Sequence, residues 1–171
     1  MIVVETTKID PVRRVKPAVF EDFRGFFIET YNRQDYQAAG IDIDFVQDDL
    51  SISSQHVLRG LHGDTKTWKL VSCISGRIYL VVVDCRPESP SQGKWESFII
   101  SEQNRHQILI PPGFANGHLV LSELGIFAYK QSDYYDPGSQ FSYRWDDPAF
   151  GIWWPVKAPL LSPRDEAGKF V

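Results

Sequence analysis

The sequence predicts an all-β domain, an antiparallel jelly-roll β-barrel or sandwich with few short helices. Two observations carry this. Short β-branched and apolar runs recur along the chain, and clusters of Pro, Gly and Asp separate them at close spacing. Eleven prolines and twelve glycines in 171 residues leave little room for long helices.

In chain order, the N-terminal part up to about Glu29 reads as extended, with an edge able to pair with a partner's sheet. Arg33 to Ala39 predicts one short helix, stopped by Gly40. Lys69 to Ser75 and Arg77 to Asp84 predict two strands, with Gly76 as a hairpin turn between them. Further strands are expected over Trp95 to Ser101, Gln107 to Ile110, Gly117 to Leu121 and Gly125 to Ser132. Pro87, Pro90, Gly93, Pro111-Pro112-Gly113 and Asp136-Pro137-Gly138 supply the turns. With no repeat, low-complexity segment or linker, residues 1–171 read as one domain. The mouth of such a barrel is a place for a ligand.

The net charge of −4 and the absence of a basic run argue against a general nucleic-acid binder. The longest apolar run, Ile78 to Val83, is too short to span a bilayer, and Met1 to Asp10 lacks the regions of a signal peptide. Cys73 and Cys85 have neither metal-like nor redox-pair spacing. They read as free thiols in a reducing cytoplasm, with one disulfide as the alternative.

Chemistry concentrates in Val57-Leu58-Arg59-Gly60-Leu61-His62-Gly63-Asp64 and the following Lys69. His62 is either a structural histidine or a general base. Arg59, three residues earlier, falls on the opposite strand face unless Gly60 bends or bulges the chain. Lys69 faces His62 across the ladder or is a solvated lysine. A neutral imidazole beside a lysine fits proton abstraction next to a carbonyl, because the cation stabilises the enolate oxygen. His62, Asp64 and His118 could in principle form a two-His-one-carboxylate set. The pair of histidines one residue apart that such barrels use is missing, so no metal is expected. Asn116 and His118, after the proline-rich turn, are candidates for polar contacts inside the barrel. Tyr129 is a general acid or a core aromatic. Asp165 orients a histidine or caps a surface turn.

Several segments in this order resemble the dTDP-4-dehydrorhamnose 3,5-epimerase family of sugar-nucleotide epimerases. They are Phe20 to Glu29, Phe45 to Ser51, Val57 to His62, Lys69-Leu70-Val71, Val83 to Pro90 with Gly93 and Trp95, Ile110 to Ala115, Tyr129-Lys130, Trp145 to Pro148 and Leu161 to Asp165. The resemblance implies a metal-free, cofactor-independent, dimeric cupin acting on a nucleotide-linked 4-keto-6-deoxy sugar for cell-surface polysaccharide. It implies His62 as base, Asp165 as its orienting partner, Tyr129 as acid on the opposite ring face and Lys69 near the C4 oxygen. Arg24 and Arg59 would hold the diphosphate, with Arg24, Phe26 and Glu29 reaching across from the partner subunit. Gln47 and Tyr135 match binding positions.

The departures are local. Gly63 and Asp64 stand where the family has an aromatic and a glutamine, and the loop from His62 to Lys69 is short. Asp49 replaces an asparagine. Asn116 stands in place of the family histidine, with His118 two residues on. Similar His-Gly-Asp and Asn-x-His patterns occur in relatives acting on GDP-linked 6-deoxy-heptoses. The alternatives are therefore a 3-epimerase, a GDP-heptose epimerase, or a non-catalytic sugar-nucleotide binder.

Overall fold

A computed structural model describes residues 2–171. Met1, the first residue of the segment read for a signal peptide, lies outside the described residues. The strands are β1 (Val3–Thr6), β2 (Arg13–Lys16), β3 (Val19–Asp22), β4 (Gly25–Ile28), β5 (Gln47–Ser54), β6 (Leu58–Asp64), β7 (Lys69–Ser75), β8 (Arg77–Asp84), β9 (Trp95–Ser101), β10 (Gln107–Ile110), β11 (Phe114–Val120), β12 (Leu124–Gln131) and β13 (Gln140–Ser142). Two short helices join them, α1 (Arg33–Ala38) and α2 (Pro163–Glu166).

Two antiparallel sheets pack as a sandwich. One has the order β1-β2-β10-β7-β12-β5 and the other β13-β6-β11-β8-β9. Their facing sides enclose the central core. Val71, Cys73, Ile108, Ile110 and Phe127 come from the first sheet, and Ile78, Leu80, Val82, Phe98, Ile100 and Val120 from the second. The other face of β8 is covered as well: Tyr79, Val81 and Val83 pack with Leu58, Leu61 and Trp154 of an outer layer. A strand buried on both faces reads as an unbroken apolar run rather than an alternation, which explains Ile78 to Val83. On the outside of the first sheet, Leu70, Leu109 and Val15 are covered by Tyr36 of α1 and Ile41. Asn32 caps α1, its side chain accepting from the amides of Gln34 and Asp35. Among the described residues no helix is long and apolar enough to cross a membrane. Both cysteines are free thiols.

The expected strands are present, and β7, β8, β9 and β10 match residue for residue. Two expectations are corrected. Gly76 is not a hairpin turn, because β7 and β8 lie in different sheets. The chain crosses from one layer to the other there, at φ +85°, and a Cβ would meet the Leu124 carbonyl oxygen at 2.1 Å. The N-terminal part does not all remain available to a partner: β1 and β2 extend the chain's own sheet beside β10. Among the strands of the described residues, only the β3–β4 hairpin stands apart from both sheets.

The segment after β13 returns along the second sheet. Leu58 donates its amide to the Leu160 carbonyl, and Leu160 donates to that of His56. Tyr143 bridges to Lys169. This return positions α2 against β6.

Candidate active site

The most chemically loaded cavity, of about 230 Å³, opens between the two sheets. Ser51, Lys69, Val71, Phe127 and Tyr129 line it from the first sheet. Arg59, His62, Asn116 and His118 line it from the second, and Arg164 of α2 stands beside them.

A bulge explains how Arg59 and His62 share this wall. Between β6 and β11 the pairing runs Arg59 to His118 and His62 to Asn116, so Gly60 and Leu61 together oppose Gly117. Leu58 and Leu61 both face the outer layer, three residues apart, and Arg59 and His62 both face the cavity, also three apart. Gly60 has φ +129°, and a Cβ there would meet the Gly117 backbone at 2.5 Å. Only glycine fits this crossing.

His62 Nε2 lies 2.7 Å from Asp165 Oδ1. The approach is off the N–H axis, so Nε2 lacks a well-directed hydrogen bond. The ring nitrogen and the carboxylate oxygen are nonetheless in direct contact. Asp165 is 4% exposed. Its Oδ1 also accepts from the Gly60 amide at 3.1 Å, and its Oδ2 from Ser162 Oγ at 2.6 Å. Burial raises its pKa, but the His62, Ser162 and Gly60 contacts outweigh burial and hold it down at about 2. The carboxylate is therefore charged throughout the working range. Ser162 sits at the N-cap of α2, with Pro163 opening the helix, which fixes Asp165 one turn in.

Lys69 does not face His62 across a ladder, because β6 and β7 belong to different sheets. It faces the cavity from the opposite wall, on the same strand side as Val71. Burial lowers its pKa, with Arg164 adding to that, while Asp64 and Asp49 oppose it. Burial raises that of Tyr129, as does Asp49, while Arg59 and Arg164 pull the other way. Arg59 donates Nε to Ser53 Oγ at 3.1 Å. His118 is 4% exposed and stacks on Phe127 with ring centroids 4.0 Å apart. Burial, then the neighbouring Arg59 and His62, lowers its pKa to about 3, so it is neutral.

Other expected residues fall elsewhere. Gln47 and Gln131 both donate to Asp49 Oδ2, at 2.7 and 2.6 Å, and Gln47 Oε1 accepts from the Tyr135 amide. This cluster, with an exposed Tyr135 ring, stands at the ends of β5 and β12 rather than in the cavity wall. Arg24, Phe26 and Glu29 are not in the cavity of their own chain. Arg24 is paired to Asp22 at 2.6 Å on the exposed hairpin, and Arg105 lies over the Phe26 ring.

Asp64 is not open to a ligand. It is buried, accepting from the amides of Lys66 and Thr67 and from Ser139 and Gln140. It fastens the short loop before Lys69. A Cβ on Gly63 would lie 2.1 Å from the Phe141 ring. That ring fills the space beside Gly63 in the outer layer. Sequence reasoning missed Ser51 and Arg164. Each sits inside a recognised segment, yet a serine on a strand and an arginine in a polar tail carry no periodic signal.

A family model described as dTDP-4-dehydrorhamnose 3,5-epimerase matches residues 6–171. A dTDP-4-dehydrorhamnose 3,5-epimerase of Salmonella typhimurium is 45% identical, over 98% of this chain and 94% of its own length. The one from Neisseria gonorrhoeae is 46% identical over 95% of this chain, which spans only 51% of that longer relative. The crystal structure of the dTDP-6-deoxy-D-glucose-3,5-epimerase of Legionella pneumophila, in complex with dTDP-4-keto-L-rhamnose, superposes with a TM-score of 0.94 at 42% identity. That match covers 99% of this chain and 93% of the other. The sandwich is thus the cupin fold of these enzymes, and the chain belongs to the dTDP-4-dehydrorhamnose 3,5-epimerase family, a family of isomerases.

Proposed function

We propose that this chain epimerises a dTDP-linked 4-keto-6-deoxy sugar at C3 and C5, forming the precursor of rhamnose-containing polysaccharide. One observation carries the reading: His62, backed by Asp165, and Tyr129 line one cavity from opposite sheets, with Lys69 beside it. His62 removes the proton from a carbon flanking the C4 ketone, and the electrons move onto O4 as an enolate. The Lys69 ammonium stabilises that oxygen. Tyr129, kept protonated by burial, delivers a proton to the opposite ring face, and the configuration inverts. The tyrosinate and the imidazolium then return to their starting forms through solvent. Arg59 and Arg164 make no ion pair among the described residues and are free to meet the diphosphate. The neighbour solved with dTDP-4-keto-L-rhamnose supports the substrate class.

The test is incubation in D2O with dTDP-, GDP- and CDP-linked 4-keto-6-deoxy sugars. Deuterium at C3 and C5 of the dTDP sugar is the expected result, and no exchange with any of them overturns the reading. Exchange at C3 alone makes it a 3-epimerase. Asn116 and His118 in the cavity wall favour a second reading, a GDP-linked 4-keto-6-deoxy-heptose as substrate, which the GDP arm decides. Tyr129→Phe is expected to retain exchange while slowing inversion by roughly 10²-fold. Equal loss of both would remove Tyr129 from the acid role.

The active unit is a homodimer in which the β3–β4 hairpin reaches the partner's site with Arg24, Phe26 and Glu29. Its support is the hairpin's exposure: Phe20, Phe26 and Phe27 are more than half exposed, and Phe23 is 98% exposed. So large an apolar patch on a hairpin outside both sheets is a surface for association. Sedimentation equilibrium is expected to give twice the chain mass, and a monomer at micromolar concentration would rule this out.

A further inference from the structure

Three buried polar atoms lining the cavity lack a hydrogen-bond partner among the described residues, and since His62 Nε2 lies against Asp165, two remain unmet: Ser51 Oγ and His118 Nε2. They belong to one place. Ser51 is the cross-strand neighbour of Phe127, and His118 stacks on that same ring. The stacking fixes the imidazole plane, and the inward alternation of β11 puts Asn116 and His118 on the cavity side together. Buried polar groups are almost always hydrogen-bonded, so two orphans facing one cavity from opposite sheets, beside the same ring, mark a position that a ligand fills.

We infer that Ser51 and His118 form a subsite for a hydroxyl group of the substrate's sugar, and that this subsite helps decide which sugar the cavity accepts. The inference rests on the sugar-nucleotide reading given above. A hydroxyl is the group that suits both orphans, because it donates and accepts at once. A phosphate is drawn instead to Arg59 and Arg164 along the same cavity. A methyl group would leave both atoms unpaired, which is how a polar pocket rejects the analogue lacking its hydroxyl. The neutral state of His118 fits this role, since it neither attracts the diphosphate nor competes with His62 for a proton.

Calorimetric titration of the full chain with dTDP and with dTDP-glucose tests this. The wild type is expected to bind dTDP-glucose more tightly than dTDP. His118→Phe, which retains the ring stack, and Ser51→Ala are each expected to weaken dTDP-glucose roughly 3- to 10-fold while leaving dTDP within twofold. His118→Phe is also expected to raise the melting temperature, because it removes a buried unpaired nitrogen. Equal weakening of both ligands, or no change in either, would overturn the subsite and leave His118 a packing residue. A lowered melting temperature with unchanged ligand preference would do the same. A wild type that favours dTDP-glucose and loses the preference in both variants, yet exchanges no deuterium in D2O, keeps the subsite and removes the epimerase reading.

Discussion

His62→Ala is expected to lower deuterium exchange at C3 and C5 by roughly 10²- to 10⁴-fold, the range a positioned general base supplies. The argument is one of supply. Among the groups lining the cavity, Lys69, Arg59 and Arg164 are cations, Tyr129 carries its proton, and His118 is held from protonation by burial and has no carboxylate partner. Only His62 has a carboxylate behind it, at 2.7 Å, able to stabilise the imidazolium that forms. The variant should fold, because Asp165 retains Ser162 Oγ and the Gly60 amide. Exchange within tenfold of wild type, measured by NMR on the dTDP sugar, would move the base elsewhere.

Asp165→Asn is expected to lower kcat by roughly 10²- to 10⁴-fold with a much smaller change in KM, as removal of the charge behind a catalytic histidine does in other enzymes. The substitution retains an oxygen for the Gly60 amide but withdraws the charge that favours imidazolium. It also has a signature in stability. The folded-state pKa of Asp165 is depressed to about 2, below the ordinary value near ~3.9. Its ionisation therefore contributes stability that is present above pH ~4 and is lost as the pH falls towards about 2. Acid unfolding of the wild type should be steeper across that window than that of the asparagine variant. Identical acid curves together with an unchanged kcat would reduce Asp165 to a packing residue of α2.

What the sequence made legible follows from which signals are local. The bounds of β7 to β10 could be read because the β-branched and apolar runs end at Gly, at Pro or, between Ser101 and Gln107, at a run of polar residues. The layer change at Gly76 could not, since a hairpin and a crossover both look like two apolar runs around one glycine. His62, Lys69, Tyr129 and Asp165 stand out as candidates among the residues and take their roles from the resemblance; three of them line one cavity while Asp165 lies directly behind His62. The common face of Arg59 and His62 was left open in the sequence, because a bulge depends on what β11 places opposite Gly60. Ser51 and Arg164 gain meaning only from their neighbours across the sandwich. Asp64 looked chemical and proved to be a loop fastener, because two of its partners, Ser139 and Gln140, are distant in sequence.

The returning C-terminal segment sets the order in which the enzyme becomes competent. Chains are synthesised from the N-terminus and fold as they emerge. Both sheets are complete by Ser142, whereas the carboxylate behind His62 arrives only with α2. A chain clipped between them would lose the Trp154 cover of β8, Arg164 of the cavity lining and the carboxylate behind His62 together. The outer layer and the support of His62 are thus completed in one step, by the same returning segment.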